Sequence, residues 1–111
     1  MSKPFSFLDG ILNILLIEDD PISKSLIEDL LSVEPVYTVH SARSSQKALE
    51  LLKSGLRFHI CLMDLGLSDV QNDEFFILKQ YAQHCSIIVL TGSSSPTKGA
   101  TCIKLGARGV F

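Results

Sequence analysis

With 111 residues, 46% of them hydrophobic and 20% charged, the chain can bury one sizeable core and is too short for two. A formal net charge of −2 argues against a nucleic-acid-binding surface, which would carry a basic patch. The cysteines Cys61, Cys85 and Cys102 show no Cys-x-x-Cys spacing, so neither a zinc knuckle nor a thioredoxin-type site is indicated, and they read as reduced thiols of a cytosolic protein. The opening "MSKPFSFLDGILN" is a poor signal peptide, and no apolar run reaches membrane-spanning length. A soluble, cytoplasmic domain is expected, with residues 1–10 as an N-terminal extension and the domain proper over 11–111.

In chain order, Asn13–Glu18 ("NILLIE") is a continuous apolar run of the kind found in strands covered on both faces. Asp20 then suits a helix cap and Pro21 the first helical position, where its missing N–H costs nothing. Ile22, Leu26, Leu30 and Val33 recur at helical spacing, widened by Ile27 and Leu31, as the expected buried stripe. Val36–His40 predicts a second strand, and "SSQKALELLKSG" a second helix that Gly55 ends in a left-handed conformation. Phe58–Asp64 is a third apolar strand, "DEFFILKQYAQ" a third helix, and Ser86–Thr91 a fourth strand. "SSSPTKGATCIKLG" predicts a fourth helix with Ser95 to cap it, Pro96 to start it and Gly106 to stop it, and "RGVF" opens a fifth strand. Alternating strands and helices imply a doubly wound α/β fold, a parallel sheet with helices on both faces.

In such a sheet, ligands bind outside the carboxyl ends of the strands. Glu18 and Asp19 follow the first strand, Asp64 ends the third, and Thr91 ends the fourth. Three carboxylates and a hydroxyl gathered at one edge suit a hard divalent cation of the magnesium type with a phosphoryl group beside it. The cation would also offset the repulsion that the run "EDD" otherwise builds up. His40, His59 and His84 show no spacing that brings two of them together, so metal ligation by histidine is not expected.

The motifs "ILLIEDDP", "SARSSQKALELL", "HICLMDLGL", "IIVLTG" and "KLGARGVF" occur in this order, and with them the chain resembles the receiver domain of two-component response regulators. The resemblance covers the chain from about Ile11 onward and implies a flavodoxin-like fold of strand order 2-1-3-4-5. It implies Asp64 as phosphoacceptor, Glu18 and Asp19 as an acidic pair holding Mg²⁺, and the Gly66 carbonyl as a further ligand. Asp20 falls on the helix-cap position, and Thr91 on the switch hydroxyl that bonds the phosphoryl group. Implied partners are a histidine kinase or histidine phosphotransfer protein, with no membrane contact.

Several positions depart from the family pattern. The family's lysine would fall beyond Phe111, and the final helix is missing from 11–111, so an exposed apolar patch and a homodimer are expected. Val110 stands where an aromatic switch residue is usual, Ser68 where Pro is common, and Asn72 where Gly is common. Haloacid-dehalogenase-type phosphatases need a second acid two residues after the nucleophile, where this chain has Gly66, and topoisomerase–primase modules need an Asp-x-Asp that "MDLGL" lacks. The expectation is a regulatory module that is no enzyme in its own right. The alternative is a pseudo-receiver, an interaction module that does not cycle phosphate.

Overall fold

The computed structural model describes residues 12–64, 73–90 and 96–111. Within them lie the strands β1 (Leu12–Ile17), β2 (Tyr37–Ala42), β3 (Ile60–Asp64), β4 (Ser86–Leu90) and β5 (Gly109–Val110). The helices are α1 (Pro21–Leu31), α2 (Ser45–Leu52), α3 (Asp73–Tyr81) and α4 (Pro96–Leu105). The strands form one parallel sheet in the order β2-β1-β3-β4-β5, as expected. The order reverses direction after β2, so right-handed crossovers place α1 on one face and α2, α3 and α4 on the other.

Local chemistry accounts for the helix ends. The Ser23 backbone N–H donates to Asp20 Oδ2 at 2.9 Å, and Pro21 follows at the first helical position. In the same way the Lys47 N–H donates to Ser44 Oγ at 3.0 Å and starts α2. Gly55 has the expected left-handed backbone, at φ +96°. Gly106 stops α4 at φ +118°, where a Cβ would lie 2.7 Å from that of Ala82, so this position requires glycine on both counts.

Leu15, Ile17, Met63, Ile77, Leu78, Ile87 and Val89 are fully buried between the sheet and the helices α2, α3 and α4. All three cysteines are buried and none is in a disulfide. Burial pushes the Cys61 thiol well above its ordinary value and that of Cys85 to about 11, so both behave as small hydrophobes.

The opposite face departs from the double coverage expected of every strand. Ile14 and Leu16 of β1 are buried, yet β3 and β4 both alternate strictly between half-buried and buried residues. That period of two is the mark of a sheet covered on one side only. α1 buries no residue completely. Four residues of the stripe expected to face the core are exposed, Ile22 at 71%, Leu26 at 60%, Leu30 at 71% and Val33 at 77%, while Ile27 and Leu31, which widen it, are half-buried. The half-buried side of α1 is instead Ser23, Lys24, Ile27, Glu28 and Leu31, because the helix lies against β2. There the Ser41 hydroxyl donates to Glu28 Oε2 at 2.5 Å, and Lys24 Nζ pairs with the same oxygen at 3.3 Å. These contacts, Ser41 foremost, hold the Glu28 carboxyl below its ordinary pKa.

Among the described residues, the apolar stripe of α1 and the adjoining half-buried Leu62, Ile88 and Leu90 thus form an open apolar surface. In urea unfolding, Leu16→Ala is expected to cost roughly 2–5 kcal/mol, whereas Leu26→Gln changes stability by less than about 0.5 kcal/mol. Equal losses in the two variants would contradict this placement of α1.

Candidate functional site

The sheet register brings the acidic residues together. Ile17 at the end of β1 lies beside Met63 of β3, so the residues that follow each, Glu18 and Asp64, emerge side by side. The Glu18 N–H donates to the Ala42 carbonyl at 3.0 Å, which keeps the chain in register with β2 one residue past the strand. Asp64 is still within β3, paired with Leu90 of β4. One carboxylate oxygen from each of Glu18, Asp19 and Asp64 lies within 4.8 Å of the others. Neighbouring residues of one turn and a residue more than forty positions later therefore meet at a point, as the strand-end argument expects.

Their surroundings differ. Glu18 is buried at 6% exposure, and its Oε2 accepts the Asp20 backbone N–H at 3.1 Å. That bond turns the carboxylate toward the acidic group and supplies one of the hydrogen bonds that a buried charge requires. Asp19 and Asp64 are half-buried. Asp20 faces away from this task. Its side chain is committed to the Ser23 N–H, and that bond holds its carboxyl below the ordinary carboxylate value. The cap assignment for Asp20 therefore stands, although Asp20 also borders the cavity.

The cavity above the acids has a volume of about 440 Å³ and is bordered by Glu18, Asp19, Asp64, Ser23, Leu26 and Leu90, among others. One wall is thus acidic and another apolar, the latter continuous with the open face of α1. Three oxygen donors within 4.8 Å fit a small hard cation such as Mg²⁺ or Ca²⁺, which prefers carboxylate and carbonyl oxygens. The donor set is wrong for zinc, which favours nitrogen and sulfur ligands. Thr91 and Gly66, the other expected site residues, lie outside the described residues, as do Ser68, Asn72, Ser93 and Ser95.

Histidine takes no part in this group. His40 stacks edge-on against Phe58 at 5.4 Å between ring centroids, and His59 Nδ1 accepts the Asn13 N–H at 3.0 Å. Yet His59 and His84 border one cavity at the far edge of the sheet, although nothing in their spacing relates them. The missed signal was positional: His59 immediately precedes β3 and His84 stands two residues before β4, so parallel strands bring the two together.

Comparison with known proteins agrees with this architecture. The family model of the response regulator receiver domain matches residues 14–111. The chain is 34% identical over 88 residues to the sensor protein TorS of Escherichia coli K12, a match covering 79% of this chain and 9% of that protein. Among solved structures, a Burkholderia pseudomallei response regulator, determined with a phosphorylated aspartate, a calcium ion and citrate, superposes with a TM-score of 0.78. It shares 24% identity, over 89% of this chain and 58% of that one. The complex of the CheA3 P1 domain with CheY6 from R. sphaeroides gives a TM-score of 0.71 at 21% identity, over 90% of this chain and 80% of the other. Strand order, converging acids and a family match over nearly the whole length agree, and the chain belongs to the response regulator receiver domain family.

Proposed function

We propose that the chain is a phosphoacceptor receiver in which Asp64 takes a phosphoryl group from a histidine kinase or histidine phosphotransfer protein. The observation that carries this reading is the meeting of Glu18, Asp19 and Asp64 within 4.8 Å in a member of this family. An Asp64 carboxylate oxygen attacks the phosphorus of a phosphohistidine. The O–P bond forms as the P–N bond breaks, and the imidazole leaves with its electron pair and takes up a proton. Bound by Glu18, Asp19, Asp64 and the Gly66 carbonyl, Mg²⁺ would offset charge on the transferring oxygens, where most catalysis of phosphoryl transfer resides.

The residues of the chain do the positioning. Glu18, fixed by the Asp20 N–H, keeps a negative charge beside Asp64 and so favours cation binding over an empty site. Thr91 is assigned the hydroxyl that bonds the new phosphoryl group, and its movement biases the surface read by a partner. The likeness to a response regulator that carries a phosphorylated aspartate supports the choice of Asp64. The CheA3 P1–CheY6 complex supports a histidine-bearing partner. A cytoplasmic location follows from the same reading. Consistent with it, no helix among the described residues is long and apolar enough to cross a membrane.

Self-association belongs to the same proposal, with the open face of α1, Leu62 and Ile88 turned toward a second copy of the chain. Sedimentation is expected to show concentration-dependent association that Leu26→Glu abolishes. A monomer at every concentration would refute the dimer and leave the phosphoacceptor reading intact.

Incubation with acetyl phosphate and Mg²⁺ is expected to add one phosphoryl mass to the wild-type chain, removable by hydroxylamine. Asp64→Asn and chelation of the metal should each abolish the gain. No added mass on the wild type, or the same gain on Asp64→Asn, would contradict the proposal. The first result would leave an interaction module with an acidic pocket that does not cycle phosphate.

A further inference from the structure

The edge of the sheet opposite the carboxylates carries two arginines and two histidines. Arg57 and His59 lead into β3, His84 leads into β4, and Arg108 leads into β5. Parallel strands collect these four basic residues at one end, by the same geometry that collects the acids at the other. All four border a cavity of about 150 Å³. Beside it lies a larger cavity of about 510 Å³, walled by Leu52, Leu56, Phe58 and Tyr81. Arg57, Phe58, Gln83, His84 and Cys85 border both, so the two are lobes of one cleft, the smaller adding Arg108 and the larger adding Leu52, Leu56 and Tyr81 to a lining that is polar and apolar in similar measure.

Two further observations single out this cleft. Among the described residues no carboxylate borders either lobe, in a chain whose net charge is −2. The ion pairs found among the described residues, Lys24–Glu28 and Lys47–Glu50, engage neither Arg57 nor Arg108. The walls are connecting segments tied by backbone hydrogen bonds to the sheet and to the end of α3. Asn13 Nδ2 donates to the Arg57 carbonyl at 3.0 Å, and the Ser86 N–H donates to the His59 carbonyl at 3.0 Å. The Arg108 N–H donates to the Ile87 carbonyl at 2.7 Å, and the His84 N–H to the Tyr81 carbonyl at 2.9 Å. A cleft with fixed backbone, an apolar wall and a few convergent polar groups has the make-up of a small-molecule site.

We propose that this cleft binds an organic anion, with a phosphate-like group at Arg57 and Arg108 and a planar apolar body against Leu56 and Tyr81. Both guanidinium groups are exposed, so charge alone contributes modestly there. Burial of the apolar body supplies the remainder, and a bare inorganic anion binds more weakly than one joined to a ring. The inference stands apart from the phosphoacceptor reading, since none of its residues is among the acids.

The test is an amide NMR titration of the full chain without divalent cation, using phenylphosphonate, inorganic phosphate and benzyl alcohol as separate probes. Phenylphosphonate, which has no transferable phosphoryl group, is expected to give saturable shifts at His59, His84, Ser86 and Arg108. It should bind roughly tenfold more tightly than either other probe, and the double variant Arg57→Gln/Arg108→Gln should weaken it roughly tenfold. The charge-matched variant Arg43→Gln/Lys47→Gln should leave it unchanged. Dispersed spectra of both variants establish that they are folded. Absence of saturation, equal weakening in both variants, shifts confined to the acidic edge, or phosphate binding as tightly as phenylphosphonate would each overturn the proposal.

Discussion

The mutual repulsion of Glu18, Asp19 and Asp64 is the constraint around which the rest of the molecule is arranged. Two unit charges 4.8 Å apart repel by on the order of 3 kcal/mol at an effective dielectric near 20, and there are three such pairs to hold. The molecule keeps them in place with its stiffest parts. β1 is the most completely buried strand, β3 runs beside it in register, and the Glu18 N–H extends the ladder to β2. The adjacent Asp20 escapes the conflict by capping α1. One run of three acids thus divides into two residues grouped with Asp64 and one that starts a helix.

A parallel sheet has two different ends, and this chain uses both. Three acids gather where β1 and β3 finish, while Arg57, His59, His84 and Arg108 gather where β3, β4 and β5 begin. The sheet also has two different faces. α2, α3 and α4 seal one with a continuous core, while among the described residues the other is covered by α1 alone, lying against β2. The half-buried Leu62, Ile88 and Leu90 beside the exposed stripe of α1 are the consequence. Leu26 and Leu90 also border the acidic cavity, so this face and the site adjoin.

The sheet and its order were legible in the sequence because strand-end chemistry and helix caps are local. "DDP" marks the start of α1, and Gly55 and Gly106 mark left-handed stops. The apolar runs are short enough to be strands. The convergence of Glu18, Asp19 and Asp64 was legible for the same reason, since topology alone carries strand ends to one edge. The orientation of α1 was not. Ile22, Leu26, Leu30 and Val33 make a regular apolar stripe, and periodicity gives the face that prefers burial, not whether another element is there to bury it. The side turned to β2 combines Ile27 and Leu31 with the tie between Glu28 and Ser41, a polar contact with no periodic signature. The basic cleft was missed for a related reason: its residues precede strands, and only the assembled sheet brings Arg57, His84 and Arg108 together.

The central claim is that the three carboxylates are held together at a cost which a divalent cation offsets. Urea unfolding of the wild type and Asp19→Asn, each in chelator and in excess Mg²⁺, tests it most directly. Without metal, Asp19→Asn is expected to be more stable than the wild type by about 1–3 kcal/mol, because a repulsive charge is gone. Excess Mg²⁺ should stabilise the wild type by about 2–3 kcal/mol and the variant much less, narrowing or reversing the difference. A wild type at least as stable as the variant in chelator, with equal Mg²⁺ responses in both, would contradict the account.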